Sequence, residues 1–176
     1  ARQGQTIENT SPTDLHAVAQ AAWESVETHA ATVENDLSGV VESDEGRLQQ
    51  VFENLFRNAV EHGGTDVTVR VDTMGTDAER VVNPPARGFF VEDDGSGIPA
   101  DQRDDVFEAG YTNSESGTGL GLSIVESVVD AHGWSVGLTD SDQGGARFEI
   151  TGVDIHEPIE RNVESDEQAA ETDRID

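Results

Sequence analysis

Residues 44–64 read DEGRLQQVFENLFRNAVEHGG and form the clearest helical pattern in the sequence. Apolar side chains recur there at intervals of three and four residues, at Leu48, Val51, Phe52, Leu55, Phe56, Ala59 and Val60. A stripe with this spacing is the buried face of an amphipathic helix. Because acidic residues precede the stripe and a Gly-Gly pair follows it, the helix is predicted to end at Gly63-Gly64.

The same helix carries a polar ridge made of Asn54, Asn58 and Glu61. At about 100° per residue these side chains fall within roughly 60° of one another, on the side opposite the apolar stripe. Two Asn four residues apart can aim their carboxamide oxygens at one point, and hard oxygen ligands suit a Mg²⁺ that phosphates and water also hold. Taken alone, such residues are more often a solvated helix face, so other segments must decide.

The segments around this helix predict an α/β fold. An earlier helix is expected behind a Ser11 or Thr13 cap, since residues 15–26 have apolar side chains at helical spacing. Strands are expected within 32–43, 65–74, 88–95, 134–140 and 144–153, a polar loop or hairpin arm at 75–87, a short helix at 99–110 and a longer one over 120–131. No strict strand-helix alternation is present, so a mixed sheet with helices on one face is favoured over a doubly wound parallel sheet.

Composition excludes several classes of protein. A chain of 176 residues is enough for one domain, and the absence of Cys excludes disulfides and thiolate metal sites. Because no apolar run approaches the roughly 18 residues of a membrane span and the N-terminus lacks a signal sequence, we expect a soluble, cytoplasmic chain. Acidic residues number 37 against 10 basic ones, all Arg, which is not the balance of a nucleic-acid-binding protein. The charge favours a high-salt cytoplasm, and an acidic tail from residue 154 is the rival explanation.

The stretch VEDDGSGIP, residues 91–99, places Asp93 where a predicted strand enters a loop containing Gly95 and Gly97. Glycines leave room for a flat ligand against the backbone. A buried carboxylate at this point can accept a hydrogen bond from an exocyclic amine, which is one way in which proteins recognise adenine. Surface turns rich in Asp and Gly are the commoner explanation of such a string.

The stretch GTGLGLSIV, residues 117–125, places Gly117, Gly119 and Gly121 ahead of a helix. Backbone amides in such a segment can wrap phosphates, and the helix N-terminus favours anions. The stretch is not a Walker A motif, since the chain has no Lys, and its spacing differs from the dinucleotide-binding fingerprint. Taken alone, a Gly-rich loop is more often a flexible connector.

The order of these motifs is more specific than any one of them. NLFRNAVEH, DDGSG, VFEAGYT, GTGLGLSIV and GGARFEI follow one another like the N, G1, F, G2 and G3 boxes of one family. Over about residues 13–153 the sequence thereby resembles the ATP-binding catalytic domain of sensor histidine kinases, within the GHKL superfamily. The resemblance implies a two-layer Bergerat-type α/β sandwich whose mixed sheet carries about three helices on one face. The endings AHGW and GARFEITGV and the Lys-free surface look most like kinases of halophilic archaea.

The resemblance also implies site residues and cofactors, namely ATP and Mg²⁺. Asn58, with Asn54, would coordinate Mg²⁺, and Asp93 would bind the adenine amine. Glycines of the G1, G2 and G3 boxes would shape the adenine pocket, wrap the phosphates and support the far end, and the F-box Phe would anchor a lid over residues 108–119. The remaining implied positions are Arg57, Glu61, His62, Gly95, Gly97, Ile98, Phe107, Tyr111, Thr112, Gly117, Thr118, Gly119, Leu120, Gly121, Leu122, Gly144 and Gly145.

Two departures from the family pattern bear on chemistry. The family often has Lys or Arg where this chain has Glu61; Arg57 or abundant counter-ions would have to compensate. Hydrolytic relatives have a general-base Glu at the position of Asn54. The adjacent Glu53 is turned about 100° away, so it is poorly placed to activate water. The sequence therefore favours phosphoryl transfer over hydrolysis.

None of the five histidines resembles the family's phosphoacceptor, and His132 reads as an ordinary residue before a glycine cap. The resemblance therefore implies a protein-histidine kinase whose isolated catalytic domain has low activity. Its partners would be a histidine-containing dimerisation domain, in cis or in trans, and a response regulator receiver domain, with neither nucleic acid nor direct membrane contact.

Residues 1–12 would be a linker or the end of an upstream dimerisation helix, 13–153 the domain and 154–176 a disordered acidic tail. A nucleotide-dependent regulatory module and a stand-alone ATPase remain alternatives.

Overall fold

The computed structural model describes residues 9–63, 66–75, 87–98, 101, 121–141 and 144–156. These residues form three helices and seven strands, which confirms the predicted α/β class. The helices are α1 (Leu15–Ser25), α2 (Glu45–Gly63) and α3 (Gly121–Ala131). The strands are β1 (Ser11–Asp14), β2 (Thr32–Asn35), β3 (Val40–Ser43), β4 (Thr68–Met74), β5 (Gly88–Asp93), β6 (Ser135–Asp140) and β7 (Ala146–Thr151).

Five of the strands form one mixed sheet in the order β2-β4-β5-β7-β6. Strands β2 and β4 are parallel and the other neighbours are antiparallel, as a mixed sheet requires. Strands β1 and β3 pair separately as a two-stranded antiparallel sheet. The predicted strand region 32–43 therefore supplies two strands, and they belong to different sheets.

The core lies between the five-stranded sheet and the helices, and α2 is its centre. All seven apolar residues of the predicted α2 stripe are buried. The ring of Phe52 lies 5.2 Å from that of Phe89 on β5, and Trp23 of α1 meets Phe56 edge-on at 5.2 Å. Helices α1 and α3 both pack against α2. The predicted amphipathic helix is thus confirmed, and it fixes the end of α2 beside the end of β5.

The start of α1 differs from the prediction. Its N-cap is Asp14, whose Oδ1 accepts a hydrogen bond from the Ala17 N–H at 3.0 Å, and not Ser11 or Thr13. The reason is pairing with β3, which keeps residues 11–14 extended, with Ser11 opposite Ser43. The strand pairing therefore begins two residues before the predicted domain start.

The other end of the domain also extends past the predicted boundary. Ile155 is 3% exposed, and the backbones of Val40 and His156 exchange two hydrogen bonds of 2.7 and 2.8 Å. Gly39 allows this closure, because a Cβ there would overlap the Ile155 side chain. Residues 154–156 thus belong to the folded unit; the rest of the predicted tail, residues 157–176, lies outside the described residues. Among the described helices, none combines the length and the apolar character needed to cross a membrane.

Candidate functional site

Asp93 is the last residue of β5 and is 9% exposed. Its Oδ1 accepts hydrogen bonds from the backbone N–H groups of Gly95, at 2.9 Å, and Ala146, at 3.4 Å. Burial raises the pKa of the Asp93 carboxyl, although the two backbone hydrogen bonds oppose this and the neighbouring Asp94 and Glu92 charges add to it. The strand end therefore presents an acceptor that is already oriented by the backbone.

Glycines allow the chain to close around Asp93. A Cβ on Gly145 would overlap the carbonyl oxygen and Oδ1 of Asp93, and a Cβ on Gly95 would overlap the Cα of Gly63 at the end of α2. Gly97 has φ +77°, in the region that favours glycine. The structure thus brings the predicted G1 and G3 glycines together around Asp93, where larger residues would overlap neighbouring atoms.

A cleft opens beside Asp93 between α2 and the sheet. Among the described residues it is lined by Asn58, Ala59, His62 and Gly63 of α2, by Asp93, Gly97 and Ile98 around the end of β5, and by Ala146 and Phe148 of β7. The walls are mostly apolar, and three polar side chains converge on them. This arrangement suits a flat heteroaromatic ligand that carries an amine. Sequence reasoning missed Ala59, Ala146 and Phe148, although the alternation of β7 after Gly145 could have indicated the last two.

Asn54, predicted on the same ridge as Asn58, is buried and held by neighbours on α2. It is 9% exposed and not among the residues that line the described cleft. Its Nδ2 donates to the Gln50 carbonyl at 2.9 Å, and its Oδ1 accepts from Arg57 Nη1 at 3.1 Å. Asn58 therefore fits the role of a Mg²⁺ ligand, since its side chain reaches the cleft, whereas the oxygen of Asn54 is engaged by a guanidinium group.

The remaining charged side chains of α2 lie at its surface or in another interface. Arg57 and Glu61 are exposed. The Glu53 carboxylate accepts hydrogen bonds from Ser25 Oγ at 2.7 Å and from Gln49 Nε2 at 3.1 Å. Glu53 thus faces α1 and not the cleft, which confirms that it is poorly placed to activate water there.

Several predicted site residues lie outside the described residues: Phe107, Tyr111, Thr112, Gly117, Thr118, Gly119 and Leu120. Residues 76–86 of the predicted loop, the predicted short helix at 99–110 apart from Asp101, and the lid over residues 108–119 also lie there. Of the G2 box, the structure describes Gly121 as the first residue of α3, and it places Leu122 in the core at 8% exposure.

Residues 43–154 match the family model of the histidine kinase-, DNA gyrase B- and HSP90-like ATPases, and the chain belongs to this family. It is similar to the sensor histidine kinase ZraS of Salmonella typhimurium, with 32% identity over 136 residues, which are 77% of this chain and 28% of that protein. It is also similar to the sensory histidine kinase/phosphatase NtrB of Rhodobacter capsulatus, with 40% identity over 115 residues, 61% of this chain and 32% of that protein. The chain thus spans about a third or less of the length of these relatives.

Solved structures agree with this assignment. The mycobacterial sensor histidine kinase MprB superposes with a TM-score of 0.64 at 25% identity, over 86% of this chain and 100% of that one. Full-length ShkA in complex with AMPPNP also gives 0.64, at 27% identity, over 87% of this chain and 33% of that one. Within the family, the chain is a catalytic ATP-binding domain of the sensor histidine kinase type. ZraS, NtrB and MprB come from bacteria, so they give no support to the predicted halophilic archaeal origin.

Proposed function

We propose that this domain binds Mg-ATP and transfers the γ-phosphoryl group to a histidine on a separate dimerisation domain. That histidine would then supply the phosphoryl group to an Asp of a response regulator receiver domain in the cytoplasm. The proposal rests chiefly on Asp93, whose carboxylate is held by two backbone amides and lines a mostly apolar cleft. A carboxylate in this position accepts a hydrogen bond from the adenine amine and rejects a base with a carbonyl group there.

The other residues of the cleft have complementary roles in this proposal. Ala59, Ile98 and Phe148 cover the faces of the base and exclude water from it. Asn58 would hold a Mg²⁺ ion from α2, and that ion would neutralise charge on the phosphate oxygens. His62 lines the same cleft and lies within reach of the nucleotide.

One observation and one chemical argument favour transfer over hydrolysis. Glu53, the carboxylate adjacent in sequence to the position of the hydrolytic base, is bound to Ser25 and Gln49 and faces α1. A histidine acceptor brings its own nucleophile, so positioning and charge neutralisation are most of what the domain must supply.

The acceptor histidine belongs to the partner domain in this proposal, and the contacts of His132 support a structural role for that residue instead. Its Nε2 accepts a hydrogen bond from the Asp44 N–H at 3.1 Å, so its Nδ1 carries the proton and donates to the Val128 carbonyl at 2.8 Å. The ring also stacks on Trp134, with centroids 4.4 Å apart. Both nitrogens therefore have structural partners at the end of α3.

The test is a phosphorylation assay in trans with radiolabelled ATP, Mg²⁺ and the dimerisation domain of a sensor histidine kinase. We expect slow, alkali-stable labelling of that domain, and none with Asp93→Ala or with a partner whose acceptor histidine is replaced. ATP binding without labelling would indicate a regulatory module instead. Steady phosphate release by the chain alone would indicate an ATPase, and a folded chain that binds no ATP would contradict the proposal as a whole.

A further inference from the structure

Glu92 stands next to Asp93 on β5 but points to the opposite face of the sheet, because successive strand residues alternate. That face carries none of the three described helices, yet Glu92 is 2% exposed. A carboxylate buried so completely requires partners that offset its desolvation. Glu92 is not among the residues that line the described cleft.

The strand register provides those partners. Arg70 on β4 and Arg147 on β7 are the direct cross-strand neighbours of Glu92. Arg70 Nη1 lies 3.3 Å from Oε2, Arg147 Nη1 lies 3.4 Å from Oε1, and Ser141 Oγ donates to Oε1 at 3.2 Å. Both guanidinium groups also lie over the ring of Phe90, at 5.4 Å for Arg70 and 3.8 Å for Arg147. The two carboxylate oxygens therefore have different partners, and among the residues that the structure describes only Oε1 connects to the β6–β7 side.

Ser141 links this cluster to the cleft. It directly follows β6, and its backbone N–H donates to the Gly145 carbonyl at 2.8 Å while its carbonyl accepts from the Gly144 N–H at 3.0 Å. Gly145 in turn packs directly on Asp93, and the next residue, Ala146, donates to Asp93 Oδ1. The turn between β6 and β7 is thus attached to Glu92 on one face of the sheet and to Asp93 on the other.

We infer that Glu92 and Ser141 are positioning residues for base recognition, and that this role rests on the proposed function of Asp93 in binding adenine. By fixing the turn at Gly144 and Gly145, they hold the Asp93 carboxylate where it accepts from the adenine amine. The property that they control is the preference of the site for adenine over guanine. Guanine presents a carbonyl oxygen where adenine has its amine, and a correctly placed carboxylate repels that oxygen.

The test compares the dissociation constants of Mg-ATP and Mg-GTP by calorimetry in the wild type, Ser141→Ala and Ser141→Thr. Loss of one hydrogen bond that orients the site predicts a fall of about fivefold in the preference for ATP over GTP in Ser141→Ala. Ser141→Thr keeps the hydroxyl group and should restore the preference. Glu92→Gln is a second variant. Its amide oxygen can still accept from Ser141, but both charge pairs are lost. We therefore expect a clearly lower melting temperature and a smaller loss of the preference for ATP over GTP than in Ser141→Ala.

Arg70→Gln is the matched control, because it removes a partner of Glu92 from Oε2, on the side of β4 away from the turn. It should lower the melting temperature and leave the preference for ATP unchanged. An unchanged preference in folded Ser141→Ala, or an equal loss in Arg70→Gln, would overturn the inference while ATP binding by the wild type upheld the proposed function. A wild type that binds no ATP would overturn both.

Discussion

Asp93 and Asn58 face the same cleft but are held in different ways. The Asp93 carboxylate is fixed by backbone groups of Gly95 and Ala146, and glycines let the surrounding chain touch it. The polar side chains of α2 extend from one helix, and one turn before Asn58 the oxygen of Asn54 is bound to Arg57. One end of the cleft is therefore built by the backbone, and the other by side chains.

This difference has a consequence for binding. An acceptor fixed by the backbone loses little conformational freedom when the ligand arrives, so its hydrogen bond contributes almost fully to affinity. Side chains such as Asn54 and Arg57 must first exchange partners before they can contact phosphates or a metal ion. We therefore expect substitutions at the Asp93 end to have larger effects on nucleotide affinity than substitutions on α2.

The largest effect is expected for Asp93→Asn. The carboxamide oxygen can still accept from Gly95 and Ala146, but its NH₂ group faces the adenine amine, so ATP affinity should fall by about 100-fold. Calorimetry measures this loss. Asp94→Asn is the matched control, since Asp94 is exposed and its Oδ1 accepts from the Thr68 N–H at 2.8 Å. Undiminished affinity in Asp93→Asn would mean that adenine is recognised elsewhere.

The same variant makes a prediction about stability. Burial raises the pKa of Asp93 in the folded state, so ionisation lowers stability as the pH rises through that value. The uncharged Asn has no such cost. Asp93→Asn should therefore melt at a higher temperature than the wild type at neutral pH, and the difference should shrink as the pH falls through the raised pKa. A difference that is constant with pH would show that it does not come from ionisation of Asp93.

The next largest effect is expected for Gly145→Ala. The added methyl group overlaps the Asp93 backbone and carboxylate, so the turn must move away from the cleft. Overpacking of this kind costs about 2 kcal/mol of stability, and we expect at least a tenfold loss of ATP affinity with it. Gly137→Ala on β6 is the control, because a Cβ there has no described atom within 4 Å. Thermal unfolding and calorimetry on both variants would separate strain in the turn from a general effect of Gly→Ala substitution.

On α2, Asn58→Ala should weaken Mg-ATP binding about tenfold and Asn54→Ala only about threefold. The reason is that Asn58 lines the cleft, whereas the Asn54 oxygen accepts from Arg57. Both dissociation constants should be measured with Mg²⁺ and with a chelator. Equal losses of ATP affinity in the two variants, measured with Mg²⁺, would indicate that Arg57 releases Asn54 when the nucleotide binds. The difference between the backbone end and the side-chain end of the cleft would then hold only without ligand.

The helices and most strands could be predicted because their periodicity is local. The α2 stripe and the glycine pair at its end are examples, and so is the order of the motifs that carry the family resemblance. Contacts set by the register between distant strands could not be predicted. The burial of Glu92 depends on Arg70 and Arg147 lying opposite it, and the closure of His156 onto Val40 depends on the pairing of two segments that are far apart in the sequence. A helical wheel also cannot show that Arg57 binds Asn54 rather than solvent.

The smallest effect is expected for Glu61→Lys, which places a cation where the family often has one. Glu61 is exposed, so the added attraction for phosphates should raise ATP affinity by only about threefold at low salt. In molar salt the Debye length falls to about 3 Å, so the gain should disappear. Glu42→Lys on β3, at the opposite end of α2, makes the same change of charge away from the cleft and should have no effect at either salt concentration. A gain in Glu61→Lys that persists in molar salt would instead mean direct contact between the new ammonium group and a phosphate. The side-chain end of the cleft would then be able to form a fixed contact like that of Asp93.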